Sequence, residues 1–290
     1  MEIRFNERVA IVTGAGAGLG RAHALGLAQR GSKVVVNDLS QAAAQKVADE
    51  ITAAGGSAIA APASVADFDQ VQAMVANVME RWGRVDILIN NAGILRDKSF
   101  AKMDMADFRL IIDVHLMGSA YCTKAVWDVM RNQDYGRIVM TSSASGIFGN
   151  FGQSNYGAAK SGVVGLMNVL SKEGQKNNVR VNALAPTAAT GMTEGLLPPE
   201  AEAALTPESV TPGVLFLVSE DAPNGIILGA GAGCFAVDRM IETEGVVLRG
   251  DALSPEGVAA SFEQMNRGNA QVIASAFEQT MRFVRMTSAR

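Results

Sequence analysis

Residues 8–20 read RVAIVTGAGAGLG, and this stretch decides the fold. Val9 to Val12 is an apolar, β-branched run with no polar interruption, as expected of a parallel strand covered on both faces. Glycines follow at 14, 16, 18 and 20, where the chain must turn tightly. A helical pattern then runs from Leu19 to Arg30 and stops at Gly31, a residue suited to a helix C-terminus.

Outward from this stretch the same alternation repeats. Lys33–Asn37 (KVVVN), Ser57–Ala61, Val85–Asn90 (VDILIN), Gly136–Ser142 (GRIVMTS) and Val179–Leu184 read as strands. Between them Gln41–Ala54 ends at Gly55, and a helix N-capped by Asp67 runs to Trp82 and stops at Gly83. Longer helical patterns cover Asp104–Met130 and Ser154–Lys176. The alternation predicts an α/β, doubly wound sheet of Rossmann type with helices on both faces. Right-handed crossovers then bring the C-terminal ends of the strands to one edge, where ligands bind. There is no low-complexity linker and no tandem repeat. We expect one catalytic domain, with its core at about 5–240 and a helical C-terminal extension at about 241–290. Pro255–Arg267 and Asn269–Arg285 look helical there. Their apolar residues (Val258, Phe262, Met265, Val272, Phe277, Met281, Val284) would cover the core or a partner subunit.

Composition narrows the classes. At 48% hydrophobic and 19% charged residues over 290 positions, the chain can bury a large core. Its formal net charge is -4 and its basic residues form no block, which disfavours nucleic acid and anionic membranes as partners. Cys122 and Cys234 are far apart, as are His23 and His115, so neither a disulfide framework nor a metal site is expected. The N-terminus lacks the apolar stretch of a signal peptide, and no apolar run is long enough to span a membrane. The ending MTSAR is not a peroxisomal Ser-Lys-Leu signal. The expected location is cytoplasmic.

Two stretches carry chemistry. In TGAGAGLG, between strand and helix, the glycines let a pyrophosphate approach the backbone, and the helix N-terminus offers N–H groups and a positive dipole end. Asp38 ends the second strand, where a carboxylate holds ribose hydroxyls and repels a 2′-phosphate. Neither Ala17 nor Leu39 offers a cation to such a phosphate, so NAD is expected rather than NADP. Asn90 to Gly93 reads NNAG; its amides can pin neighbouring backbone, and Gly93 would let the cofactor pass. The second stretch, Ser143 to Lys160, reads SASGIFGNFGQSNYGAAK. Tyr156 and Lys160 lie four apart on one helix face. A nearby cation favours the phenolate, and Ser143 could hold a substrate oxygen beside the phenol. Together they could move a proton to or from an alcohol oxygen, given a hydride acceptor.

TGAGAGLG, NNAG, Ser143 thirteen residues before Tyr156, and Tyr-x-x-x-Lys occur in this order. The combination resembles the short-chain dehydrogenase/reductase family over roughly residues 5–240. The resemblance implies a seven-stranded parallel sheet that binds a nicotinamide cofactor, in homodimers or homotetramers. It implies Gly14, Gly18, Leu19 and Gly20 at the phosphates, Ser64 and Val65 beside the adenine, and Asn90, Ala92 and Gly93 along the cofactor groove. Pro186 and Thr190 would lie at the nicotinamide. Tyr156 would be the general acid/base, Lys160 would lower its pKa and bind the nicotinamide ribose, and Ser143 would bind the substrate oxygen. His115, in DVHLMG, stands where many members carry an asparagine whose main-chain carbonyl holds a water. Proton relay through His115 and a merely packed mid-helix residue are both open readings. NNAGILRDKSF, SGIFGNFGQSNY, KNNVRVNALAP and GAGAGCF are more narrowly similar to the (3R)-hydroxyacyl-CoA dehydrogenase part of peroxisomal multifunctional enzymes, which also carry this histidine. That subgroup implies a small-molecule acyl-CoA substrate and a place in lipid metabolism, with a steroid or other secondary-alcohol dehydrogenase as the alternative. A cofactor-binding regulator without catalysis is disfavoured by the intact Ser143, Tyr156 and Lys160.

Overall fold

The computed structural model describes residues 2–189 and 199–288. They divide into two compact units, one up to Val237 and one from Asp238 onward. The first holds strands β1 (Val9–Val12), β2 (Lys33–Asp38), β3 (Ser57–Pro62), β4 (Ile87–Asn90), β5 (Gly136–Thr141), β6 (Val179–Pro186), β7 (Ile227–Gly231) and β8 (Cys234–Asp238). The order across the sheet is β3-β2-β1-β4-β5-β6-β7-β8. Pairings from β3 through to β7 are parallel. The strand order therefore reverses between β1 and β4, which sets a crevice at their C-terminal ends.

The helices are α1 (Gly18–Gln29), α2 (Gln41–Ala53), α3 (Phe68–Trp82), α4 (Met105–Ile112), α5 (Gly118–Asn132), α6 (Ala144–Ile147), α7 (Ser154–Glu173), α8 (Pro199–Ala204) and α9 (Pro207–Leu217). Alternate residues of β1 feed two cores, because successive side chains leave a strand on opposite faces. Val9 and Ile11 join Val71, Val75, Val126 and Val163 on one face. Ala10 and Val12 join Leu27, Val47 and Val214 on the other. The signals at α3 act as the sequence indicates. The Asp67 carboxylate accepts from the N–H groups of Asp69 and Gln70, and Gly83 takes a left-handed φ of 71°.

Two expectations change. The sheet has eight strands rather than seven, because residues 234–238 return along β7 after a tight turn. Ala232 (φ 50°) and Gly233 (φ 76°) are both left-handed there, the backbone of a hairpin turn that matches strand twist. The pattern over Asp104–Met130 is not one helix. Between α4 and α5 the residues Asp113–Met117 form a π-helical turn, the kind of single-turn insertion that often marks a functional site.

The edge away from the crevice is fastened by buried charge. The Asp86 carboxylate, fully buried, accepts from Val9 N–H at 2.9 Å and from Arg8 and Arg84. Fully buried Arg137 donates to the carbonyls of Ser219, Gly136 and Asn178. Arg8 and Arg137 both lie over the Tyr135 ring, at 3.6 and 4.2 Å from its centroid, and for the buried Arg137 the protein takes the place of water.

The unit from Asp238 onward contains β9 (Ile241–Thr243), α10 (Pro255–Arg267), β10 (Ala270–Val272) and α11 (Ala276–Ser288). The expected helix over Asn269–Arg285 is split. Ala270–Val272 instead pairs antiparallel with Ile241–Thr243, and α11 starts where Ser275 Oγ accepts from Glu278 N–H.

His23, on α1, is buried, with Nδ1 3.0 Å from Thr211 Oγ1 on α9 and Nε2 without a partner. Burial pushes its pKa from 6.5 to about 3. The unfolded chain takes up this proton near 6.5 and the folded chain only near 3, so stability is lost as pH falls through that window. We expect His23→Gln to lose stability less steeply below pH 6, by up to about 1.4 kcal/mol per pH unit. Urea unfolding at a series of pH values measures it, and parallel curves for the two chains would refute it.

Candidate active site

The crevice begins with a clasp between β1 and β4. Thr13 Oγ1 accepts from the N–H groups of Asn91 (2.9 Å) and Ala92 (3.0 Å). Asn91 Nδ2 returns two bonds, to the carbonyls of Thr13 (2.9 Å) and Gly14 (3.2 Å). The glycine loop is thereby pressed against NNAG. A Cβ on Gly14 would fall 2.8 Å from Ala92 Cα, and one on Gly20 would fall 2.2 Å from the Gly14 carbonyl oxygen. Gly14 (φ 61°) and Gly18 (φ 53°) also need left-handed backbone. The asparagine that pins this loop is Asn91. Asn90 turns the other way and donates to Thr123 Oγ1 from a buried position.

The N-terminus of α1 is open to an anion. Ala17 provides no side-chain cap, and the first turn holds no acidic residue. Leu19 is half-buried in that turn. Asp38 ends β2 and faces the loop, its Oδ2 accepting from Gly16 N–H and its Oδ1 from Ser40 N–H, each at 3.0 Å. Next to it, Leu39 is 78% exposed, so no cation lies at that sequence position. Beyond β3, Ser64 N–H donates to Gln70 Oε1, and Val65 is buried in contact range of Gly118. Pro186 closes β6 and is half-buried. Thr190 lies outside the described residues.

Ser143, Tyr156, Lys160 and His115 are brought together. Ser143 N-caps α6, its Oγ accepting from Ser145 N–H at 3.2 Å, and its side chain is close enough to the Tyr156 phenol to lower the phenol's pKa. Lys160 is buried and donates to the Thr141 carbonyl at 2.6 Å. Its Nζ sits 5.5 Å from the Tyr156 ring centroid. The His115 ring meets Tyr156 edge-on, at 5.1 Å between centroids and 88° between planes. Behind Ser143, Gln153 accepts from Ser145 Oγ (2.6 Å) and donates to Asp97 Oδ2 (2.7 Å). Asn155 Nδ2 binds the Arg96 carbonyl, so residues 96–98 are strapped to the start of α7. Asp97, Gln153 and Thr13 were not among the expected site residues. Gln153 carried a signal, lying one helical turn before Tyr156.

Burial drives Tyr156, Lys160 and His115 toward neutrality. It pushes the Tyr156 phenol up, against the lowering bond from Ser143, while the Asp97 charge adds to the rise. It brings Lys160 down to about 7. It brings His115 down to about 3, with Lys160 adding to the fall and the Ile94 backbone bond opposing it. The group that lowers the phenol is Ser143, and the Lys160 amine lies over the same ring. The arrangement offers a phenol–hydroxyl pair with an adjacent amine of about neutral pKa, in a setting where proton position is sensitive to any added charge.

Comparison with known proteins agrees with this geometry. The profile of the short chain dehydrogenase family matches residues 8–200. Peroxisomal multifunctional enzyme type 2 of Mus musculus is 46% identical over 278 residues, covering 91% of this chain and 37% of that protein. The solved structure of the full-length Drosophila melanogaster enzyme of the same name aligns with TM-score 0.85 and 41% identity, over 99% of this chain and 50% of that one. The chain thus spans half or less of the length of these relatives. A structure of 7α-hydroxysteroid dehydrogenase complexed with NADH and 7-oxo glycochenodeoxycholic acid aligns with TM-score 0.74 and 31% identity, over 79% of this chain and 95% of that one.

Proposed function

The chain belongs to the short-chain dehydrogenase family, and on that premise we propose that it interconverts a (3R)-hydroxyacyl-CoA and the 3-ketoacyl-CoA with NAD as its cofactor. The observation that carries the proposal is the Ser143 hydroxyl on the Tyr156 phenol with the Lys160 amine against the same ring. A dinucleotide fits the crevice: the uncapped N-terminus of α1 suits its pyrophosphate, and the Asp38 carboxylate suits ribose hydroxyls. Gly14, Gly18, Leu19 and Gly20 would line the phosphates, Ser64 and Val65 the adenine, and Ala92 and Pro186 the nicotinamide side. When bound, the nicotinamide supplies the hydride acceptor.

The chain's own residues handle the proton. Ser143 holds the substrate oxygen and orients it toward the phenol. Tyr156, as phenolate, takes the hydroxyl proton in oxidation and returns it in reduction. Lys160 binds the nicotinamide ribose, and its charge, when present, favours the phenolate. Hydride leaves the carbon as the proton leaves the oxygen, so the alcohol becomes a ketone with two electrons removed.

The acyl-CoA class rests on likeness to the multifunctional enzymes over nearly the whole chain. Phe148 and Phe151, 74% and 91% exposed between Ser143 and Tyr156, offer apolar surface to an acyl arm at the mouth of the site. A second reading, a steroid or other secondary-alcohol dehydrogenase, is favoured by the structural likeness to 7α-hydroxysteroid dehydrogenase; the same proton chemistry serves it. We further propose a single catalytic domain carrying the C-terminal unit as an extension, assembled as a homodimer or homotetramer. No helix among the described residues is long and apolar enough to cross a membrane. The similar enzymes are named as peroxisomal, and the cytoplasmic expectation rests on sequence composition and terminal signals alone.

Steady-state oxidation of both 3-hydroxyacyl-CoA epimers, with a bile-acid steroid alongside, tests the substrate. We expect turnover of the 3R epimer and at most about a hundredth of that rate on 3S, a gap of about 2.7 kcal/mol in the barrier. Oxidation of the steroid with neither thioester turned over would install the second reading. Cofactor choice is tested separately. Catalytic efficiency with NAD should exceed that with NADP by at least about a hundredfold, since a carboxylate facing a 2′-phosphate costs several kcal/mol. Asp38→Ser should narrow that gap, and equal efficiencies in the native chain would remove Asp38 from the cofactor site.

A further inference from the structure

Gly93 is a glycine for a reason other than backbone conformation. It is absent from the left-handed glycines of the chain, so its φ does not itself require glycine. What would not accept alanine is His115. A Cβ on Gly93 would fall 2.4 Å from His115 Cε1 and 3.1 Å from Nδ1, well inside van der Waals contact. The missing side chain makes room for the imidazole, on the side where the cofactor was expected to pass.

The imidazole is held on every side. It is 2% exposed and sits in the π-helical turn between α4 and α5. Its Nε2 lies 2.8 Å from the Ile94 carbonyl oxygen. The same Nε2 lies 3.1 Å from the Ile94 N–H, so the ring is seated against both polar backbone groups of Ile94. Nδ1 is buried with no hydrogen-bond partner in the protein. The ring edge abuts Tyr156, a packing mode that fixes ring orientation as well as distance.

We propose that Gly93 and His115 are a fitted pair that positions Tyr156, the imidazole serving as a neutral spacer between the Gly93–Ile94 backbone and the edge of the phenol ring. The pair keeps the phenol seated on Ser143 and shields it from water. The other groups facing Tyr156 are Lys160 from its own helix, Ser143 from the β5–α6 turn, and Asp97 from the segment after β4. All three stay in place when the pair is altered. The proposal rests on Tyr156 as the acid/base of the reaction.

The test is a double-mutant cycle of Gly93→Ala and His115→Asn, with turnover, NAD affinity and the pH profile of oxidation as readouts and a thermal melt to check folding. Gly93→Ala should lower kcat by at least about tenfold, because an ångström-scale displacement of a reacting group costs that much or more. NAD affinity should stay within about twofold. Adding His115→Asn makes room for the new methyl, so the double variant should regain the kcat of His115→Asn alone. In His115→Asn the pH limb assigned to Tyr156 should move about half a unit or more toward lower pH, as water reaches a phenol whose pKa burial had raised. Additive losses, a tenfold loss of NAD affinity in Gly93→Ala, an unmoved limb, or disappearance of a limb in His115→Asn would each overturn the pair. If Gly93→Ala fails to fold, the limb in His115→Asn decides alone. Tyr156→Phe separates the two assumptions: near-native turnover in that variant means the acid/base assignment has failed, and its loss leaves any failure with the pair.

Discussion

The clasp between Thr13 and Asn91 is the constraint on which the rest of the site depends. A parallel sheet that reverses its strand order leaves two neighbouring strands, β1 and β4, whose chains depart in different directions at the same edge. Their last backbone groups lose their ladder partners there and must be satisfied otherwise. One threonine hydroxyl and one asparagine amide do this with four hydrogen bonds, each contributing about 1 kcal/mol. The clasp sets how closely the glycine loop lies against Ala92. It also fixes where Gly93 and Ile94 emerge, hence where His115 finds its acceptor and which edge of Tyr156 it meets. The cofactor loop and the proton-handling phenol are in this way two ends of one hydrogen-bonded and packed path.

That path frames an electrostatic arrangement which helix spacing alone does not specify. Residues four apart on a helix share a face, and from this one expects Lys160 to sit beside the phenol oxygen. A buried ammonium, however, must be solvated by protein, and the nearest acceptor is the Thr141 carbonyl at the end of β5. The amine bonds there and lies 5.5 Å from the centroid of the Tyr156 ring. Ser143 is left as the group that favours the phenolate, while burial opposes both charged forms.

The fold was legible where signals were redundant. Unbroken apolar strands, the Asp67 cap and Gly83 each follow from a local requirement that the structure also meets. Legibility failed where one residue had to be told from its neighbour. Asn90 and Asn91 are the same residue type at the end of one strand, yet adjacent side chains leave a strand on opposite faces. One points to Thr123 and the other to the glycine loop, and only the register decides which. The π-helical turn is silent for a similar reason: one extra residue in a turn leaves an apolar helix pattern unbroken, so DVHLM reads as ordinary helix. The β7–β8 hairpin hid behind Ala232, which takes a left-handed φ where glycine or asparagine would have signalled a turn.

In the C-terminal unit the apolar residues are plain in the sequence, and the unit's own buried centre lies elsewhere. Val258, Phe262, Val272, Phe277 and Val284 are all exposed. The buried side chain among the described residues from Asp238 onward is a cation, Arg282. It bonds Glu242 and the carbonyls of Thr243 and Glu244, and so ties α11 to β9. So few residues cannot enclose much apolar volume, whereas a guanidinium with five donors can join several acceptors in a fixed geometry. A segment organised in this way is recognised by an arginine and a glutamate forty positions apart. No periodicity of apolar residues encodes that pairing, which is why the helices there were readable and their shared centre was not.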